Sequence, residues 1–85
     1  MMTIHKFQLH SGPNSVLMPA GALPLCVHEQ EGGLFLWARV NTEAPMSSLA
    51  VYVIGTGYEL PPGALDLDYF GTIHMQCGLV WHVFA

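Results

Sequence analysis

Positive charge is nearly missing from this chain. Lys6 and Arg39 are its only lysine and arginine among 85 residues, against six aspartates and glutamates, and the formal net charge is −4. Two cations so far apart along the chain cannot displace the counterions of a phosphate backbone, so groove binding of nucleic acid is not expected. An anionic membrane surface is disfavoured on the same ground. No apolar run reaches the roughly 18 residues of a membrane-spanning helix. Two cysteines, Cys26 and Cys77, are too few for a disulfide framework. The opening residues Met1 to Lys6 lack a basic region followed by a long apolar stretch, so no secretory signal is expected. The thiols are then expected to be free, in a reducing cytoplasm.

Charge of either sign is scarce as well. Charged residues make up 9% of the chain, where an ordinary soluble domain has about 25%. Hydrophobic residues make up 52%. One domain of this length has a high ratio of surface to volume and needs polar groups to cover it. Part of the surface is therefore expected to be covered by something else. The expected cover is another copy of the chain, as a dimer or higher homo-oligomer, or a protein partner.

Glycine and proline punctuate the chain at short, regular intervals. Between them lie runs of strand length: Thr3–Leu9, Asn14–Met18, Leu23–Gln30, Leu34–Val40, Leu49–Ile54, Leu67–Met75 and Leu79–Phe84. Period two places Leu23, Leu25 and Val27 on one face and Cys26 and His28 on the other. It sets Leu34, Leu36, Ala38 and Val40 against Phe35, Trp37 and Arg39, and Leu79, Trp81 and Val83 against Val80, His82 and Phe84. The last two runs are apolar on both faces, as in strands covered on both sides. Glu29-Gln30-Glu31-Gly32-Gly33 predicts a hairpin, because Gly32-Gly33 tolerates positive φ, and Gln76-Cys77-Gly78 predicts a second. Thr42–Ser48 is the one predicted helical turn, and Pro61-Pro62-Gly63 opens an extended loop. The expected fold is all-β: a single compact domain over residues 1–85, an antiparallel sandwich or partly open barrel of about seven short strands.

Chemistry is thinly signalled. His5, His10, His28, His74 and His82, with the two cysteines, offer metal-ligand types. No paired spacing joins them, and no metal or cofactor is expected. Gly55-Thr56-Gly57 follows a strand and could cradle an anion, yet it lacks the residues of a phosphate loop, and a tight turn is the simpler reading. Asp66 and Asp68 are expected on one side of an extended segment, where a carboxylate pair most often keeps a strand entrance soluble. No nucleophile, base and oxyanion hole stand in recognisable order, so an enzyme, such as a small hydrolase using His74 or His82, is not expected.

The aromatics are more informative. If Leu34, Leu36 and Ala38 pack inward, Phe35 and Trp37 point outward beside Arg39, the composition of an interface hot spot. The competing reading places them under a second layer of the same chain. The candidate interface or ligand residues are Phe35, Trp37, Arg39, Gly55, Thr56, Gly57, Tyr58, Trp81 and His82.

Several strings point further. Met18-Pro19-Ala20-Gly21, Leu36-Trp37-Ala38-x-Val40, Ala44-Pro45-Met46, Gly55-Thr56-Gly57, Tyr69-x-Gly71-Thr72 and Val80-Trp81-His82-Val83-Phe84 together resemble small proteins of tailed phages and prophages that form a domain of unknown function. The resemblance spans nearly the whole chain and brings no enzymatic residues with it. It implies a phage genome and expression in the host bacterial cytoplasm. The expected function is an accessory binding protein acting stoichiometrically there, on a host defence complex or on a small nucleotide-like signalling ligand. The alternative is a structural or assembly component of the particle.

Overall fold

The computed structural model describes residues 1–85 as two antiparallel sheets packed face to face, with no closed barrel. Seven strands form in chain order: β1 (Met2–Leu9), β2 (Gly12–Pro19), β3 (Leu23–Gln30), β4 (Gly33–Asn41), β5 (Met46–Gly55), β6 (Tyr69–His74) and β7 (Val80–Phe84). One four-residue helix, α1 (Pro62–Leu65), precedes β6. The first sheet has the order β1-β4-β3 and the second β2-β5-β7-β6. The expected sandwich is therefore the observed one.

The core fills the space between the sheets. Leu36, Ala38 and Val40 of β4 are fully buried against Val51 and Val53 of β5 and Val83 of β7, with Leu9, Val16, Met18, Val27, Leu34 and Ile73 around them. β-branched residues dominate this list because they pack well on a pleated surface. Phe35 and Trp37 point away from it, half-buried, and Arg39 is exposed. β4 is thus covered by protein on one face only. In β7, by contrast, Trp81 turns inward and packs against the core.

The chain passes from one sheet to the other at Leu9–Gly12. Asn14 holds that corner. Its Oδ1 accepts from the His10 N–H at 2.8 Å, and its Nδ2 donates to the carbonyls of His10, Gly12 and Val51.

Local chemistry corrects four sequence expectations. The β3–β4 hairpin falls within the expected Glu29–Gly33 connection, but its positive-φ pair is Glu31 and Gly32 (51° and 82°) rather than the two glycines. Gly33 already belongs to β4 and lies under the Phe35 ring. The alternation in β3 breaks at a bulge between Pro24 and Cys26, so Leu23 faces outward opposite Arg39 and Leu25 is exposed. Only Val27 of the predicted apolar trio is buried. Thr42–Ser48 forms no helix: the Ala20 N–H donates to the Pro45 carbonyl at 2.7 Å, and Met46–Ser48 pair with Leu17–Pro19 of β2. The helical turn falls instead at Pro62–Leu65, where Pro62 opens α1 with a φ already suited to a helix. That turn also separates Asp66, at its C-cap, from Asp68, so the two carboxylates do not share a strand face.

α1 lies on the outer face of the four-stranded sheet. Ala64 is buried there together with Ile54, apart from the main core. Gly63 sits against the Tyr52 ring with no room for a side chain. Three of the four sheet edges are blunted: Pro13 and Pro19 interrupt the donors of β2, and bulges distort β3 and β6. Such edges resist pairing with another chain, which leaves the sheet faces as the main open surfaces.

Candidate functional site

The sequence candidates fall on two separate surfaces. Phe35, Trp37 and Arg39 project from the outer face of the three-stranded sheet, hereafter the front. Gly55, Thr56, Gly57, Tyr58, Trp81 and His82 cluster where β5 ends beside β7.

The front is a grid of three rows set by strand register. Gln8, Phe35 and His28 lie opposite one another across β1, β4 and β3; Lys6, Trp37 and Cys26 form the next row; Ile4, Arg39 and Leu23 form the third. Lys6 reaches from β1 across β4. Its Nζ lies 4.7 Å from the Phe35 ring centroid and donates to Gln30 Oε1 on β3 at 2.7 Å. The Trp37 ring stands 6.1 Å from Phe35 and 6.2 Å from His28, centroid to centroid. Ile4 is 58% exposed and Leu23 46% exposed. Register thus places the chain's two basic side chains on neighbouring rows of one face, although they are far apart in sequence. No carboxylate projects from the grid, and the only ion pair in the molecule joins the Met1 amino group to Glu43. Lys6 and Arg39 therefore face outward without an acidic partner.

The second cluster is built on a tight turn. The Tyr58 N–H donates to the Gly55 carbonyl at 3.1 Å, and Gly57 takes φ 89°. The Thr56 N–H donates to the Val80 carbonyl at 3.3 Å. With two of its amides spent on the fold, the loop is a turn and not an anion cradle. Tyr58 is 73% exposed. Its ring stands over Gly55, beside Trp81, and a Cβ on Gly55 would meet it at 2.6 Å. Two open clefts of about 440 and 430 Å³ flank this ring, the first reaching Glu59 and Pro61, the second Leu79 and Gly78. Trp81 borders both from the core side, with its Nε1 donating to Met75 Sδ at 3.1 Å.

Behind the turn runs a polar chain that sequence reading missed. Thr56 Oγ1 and His82 Nε2 are 2.7 Å apart, Thr72 Oγ1 lies 3.3 Å from His82 Nδ1, and the Tyr69 hydroxyl is 2.7 Å from Thr72 Oγ1. Both ring nitrogens of His82 thus meet hydroxyls, and no carboxylate enters the chain. The only available signal was the shared outward parity of Thr72 and His82 on a predicted hairpin. The histidines and cysteines do not gather: no three ligand-type side chains meet in a metal-binding group. Both cysteines are free, Cys26 half-buried on the front and Cys77 exposed in the β6–β7 turn.

The fold and these surfaces define a small all-β sandwich with an outward-facing, half-buried aromatic pair and two exposed cations on one sheet face. The chain belongs to a family described as a domain of unknown function, DUF7352, whose match covers residues 1–85. No curated protein matches it. No solved structure matches it either. No helix is long and apolar enough to cross a membrane.

Proposed function

We propose that this protein is a stoichiometric binding protein that docks other protein surfaces through its front. The supporting observation is the grid itself. Phe35 and Trp37 stand at its centre, Lys6 and Arg39 lie unpaired among them, and exposed Ile4 and Leu23 border them. Aromatic residues and arginine at the centre of an apolar patch are the side chains on which interface energy concentrates. Cations without local partners set the sign of the surface that fits them. Taken with the resemblance to phage and prophage proteins, the proposed setting is the host bacterial cytoplasm, where the protein would act as an accessory factor on a host complex such as a defence assembly.

The test compares complexes formed in host lysate by the unaltered protein and by Trp37→Glu. A discrete complex of fixed stoichiometry, lost in Trp37→Glu and kept in Tyr58→Ser, supports the reading. A complex that survives Trp37→Glu overturns it. Recovery of the protein in purified phage particles favours the structural alternative.

A second reading rests on the clefts beside Tyr58. A space of about 440 Å³ falls within the usual range for small-ligand sites, and Tyr58 and Trp81 offer ring faces for stacking. A flat, ring-bearing ligand sequestered there is expected to quench Trp81 fluorescence, and Tyr58→Ser to abolish the quenching.

A further inference from the structure

We infer that the front is occupied by a second copy of the same chain, which presents the opposite face of its sandwich, so that copies associate front to back. The inference rests on the front being a docking surface, as proposed above, and names what docks there.

The back of the molecule is the outer side of the four-stranded sheet, which carries α1 and the segment that follows it to Tyr69. Asp66 and Asp68 are both exposed along this segment, and no lysine or arginine accompanies them. Large apolar side chains are exposed among them: Leu65 at 66% and Tyr69 at 61%. The front carries the opposite set, two cations among aromatics and no carboxylate. Each molecule therefore bears a surface and its electrostatic complement on opposite sides of one sandwich.

This arrangement discriminates between modes of self-association. A two-fold dimer through the front would bring the Lys6 and Arg39 of each copy toward those of the other, with no acidic group between them. Like charges brought together across an interface oppose pairing. Pairing edge to edge is opposed at three of the four edges, by the prolines of β2 and the bulges of β3 and β6, and only β1 offers a regular edge. A front-to-back contact meets neither obstacle and, unlike pairing through β1, covers the aromatic face as well. It is heterologous, so it propagates into rings or open chains and does not stop at two copies. A host target would then displace the neighbouring copy by offering the same combination of acidic and apolar groups.

Two double variants test the inference. Lys6→Glu/Arg39→Glu makes both faces acidic; Asp66→Lys/Asp68→Lys makes the back basic. All four positions are exposed, so circular dichroism should report both as folded. The measurement is solution mass by light scattering, over a concentration series in low and high salt. The unaltered protein should pass beyond a dimer as concentration rises, and high salt should weaken the association. Each variant alone should associate on the order of a hundredfold more weakly. Mixing the two should restore assembly, because each then supplies the face the other lacks. A mass that stops at a dimer and ignores Asp66→Lys/Asp68→Lys overturns the front-to-back arrangement while leaving the front as a docking face. A monomer at every concentration overturns self-association. If that monomer also forms no Trp37-dependent complex in host lysate, the docking role of the front falls with it.

Discussion

Lys6 lies across the ring of Phe35, its Nζ 4.7 Å from the centroid, and ends on Gln30 of the far strand. One side chain thus spans all three strands of the front. Its stem shields an aromatic face while its charge stays at the surface. A cation over an exposed ring contributes about 0.5–1 kcal/mol. Lys6→Ala should therefore destabilise the fold by about that much in urea titration. Lys6→Met, which keeps a long apolar side chain over the ring, should lose less. Equal losses in the two variants would show that the charge, and not the stem, makes the contact.

The two tryptophans should separate cleanly. Trp37 projects from the front, whereas Trp81 packs on the core and shares its border with the Tyr58 clefts. Trp37→Glu is expected to remain folded, with a smaller fall in melting temperature than Trp81→Glu, because it loses ring contacts on a sheet face and not against the core. Trp81→Glu removes core packing and places a charge against an apolar wall, and large-to-small losses alone cost roughly 3–5 kcal/mol at such sites. Thermal unfolding followed by circular dichroism checks both. A folded Trp81→Glu together with an unfolded Trp37→Glu would reverse the assignment.

Much of this fold is readable from residue parity. Leu34 to Val40 show two alternating faces, and the structure buries the Leu34 face while turning Phe35, Trp37 and Arg39 outward, so that only one of the two apolar faces is covered. The same parity misreads Leu23 and Leu25, because a bulge after Pro24 shifts the register and no side-chain pattern marks it. The helix at Pro62–Leu65 is hidden for a different reason. Four residues are too few to show a period, and it forms where Ala64 can be buried beside Ile54. The candidate surfaces divide similarly. Phe35, Trp37 and Arg39 are legible as a set on one strand. That Lys6 joins them depends on the pairing of β1 with β4, and that Thr56 meets His82 depends on β5 lying beside β7. Those are long-range pairings that no local pattern encodes.

The β3–β4 turn gives a prediction about stability alone. Glu31 and Gly32 both occupy positive φ, as a two-residue hairpin turn requires. Glu31→Asn suits that backbone better and should stabilise by a few tenths of a kcal/mol. Gly32→Ala should cost about 1 kcal/mol. Urea midpoints measure both. A Gly32→Ala protein as stable as the parent would mean that the turn adopts another geometry.

Gly63 provides a local probe of α1. A Cβ at this position would overlap the Tyr52 hydroxyl. Gly63→Ala should lift the Pro62–Leu65 turn from the sheet and open Ala64 and Ile54 to solvent. Hydrogen exchange should then speed up at Ala64 while Val51, Val53 and Val83 stay protected, because they belong to a separate core. Faster exchange throughout would instead tie α1 to global stability.

The account turns on whether the front is a covered surface when the protein is at work. Acrylamide quenching of Trp37, read in a Trp81→Phe protein so that one indole remains, tests this most directly. Quenching should fall as protein concentration rises, and the protection should vanish in Lys6→Glu/Arg39→Glu. A Trp37 whose quenching is the same at every concentration, and unchanged when host lysate is added, would contradict the central claim.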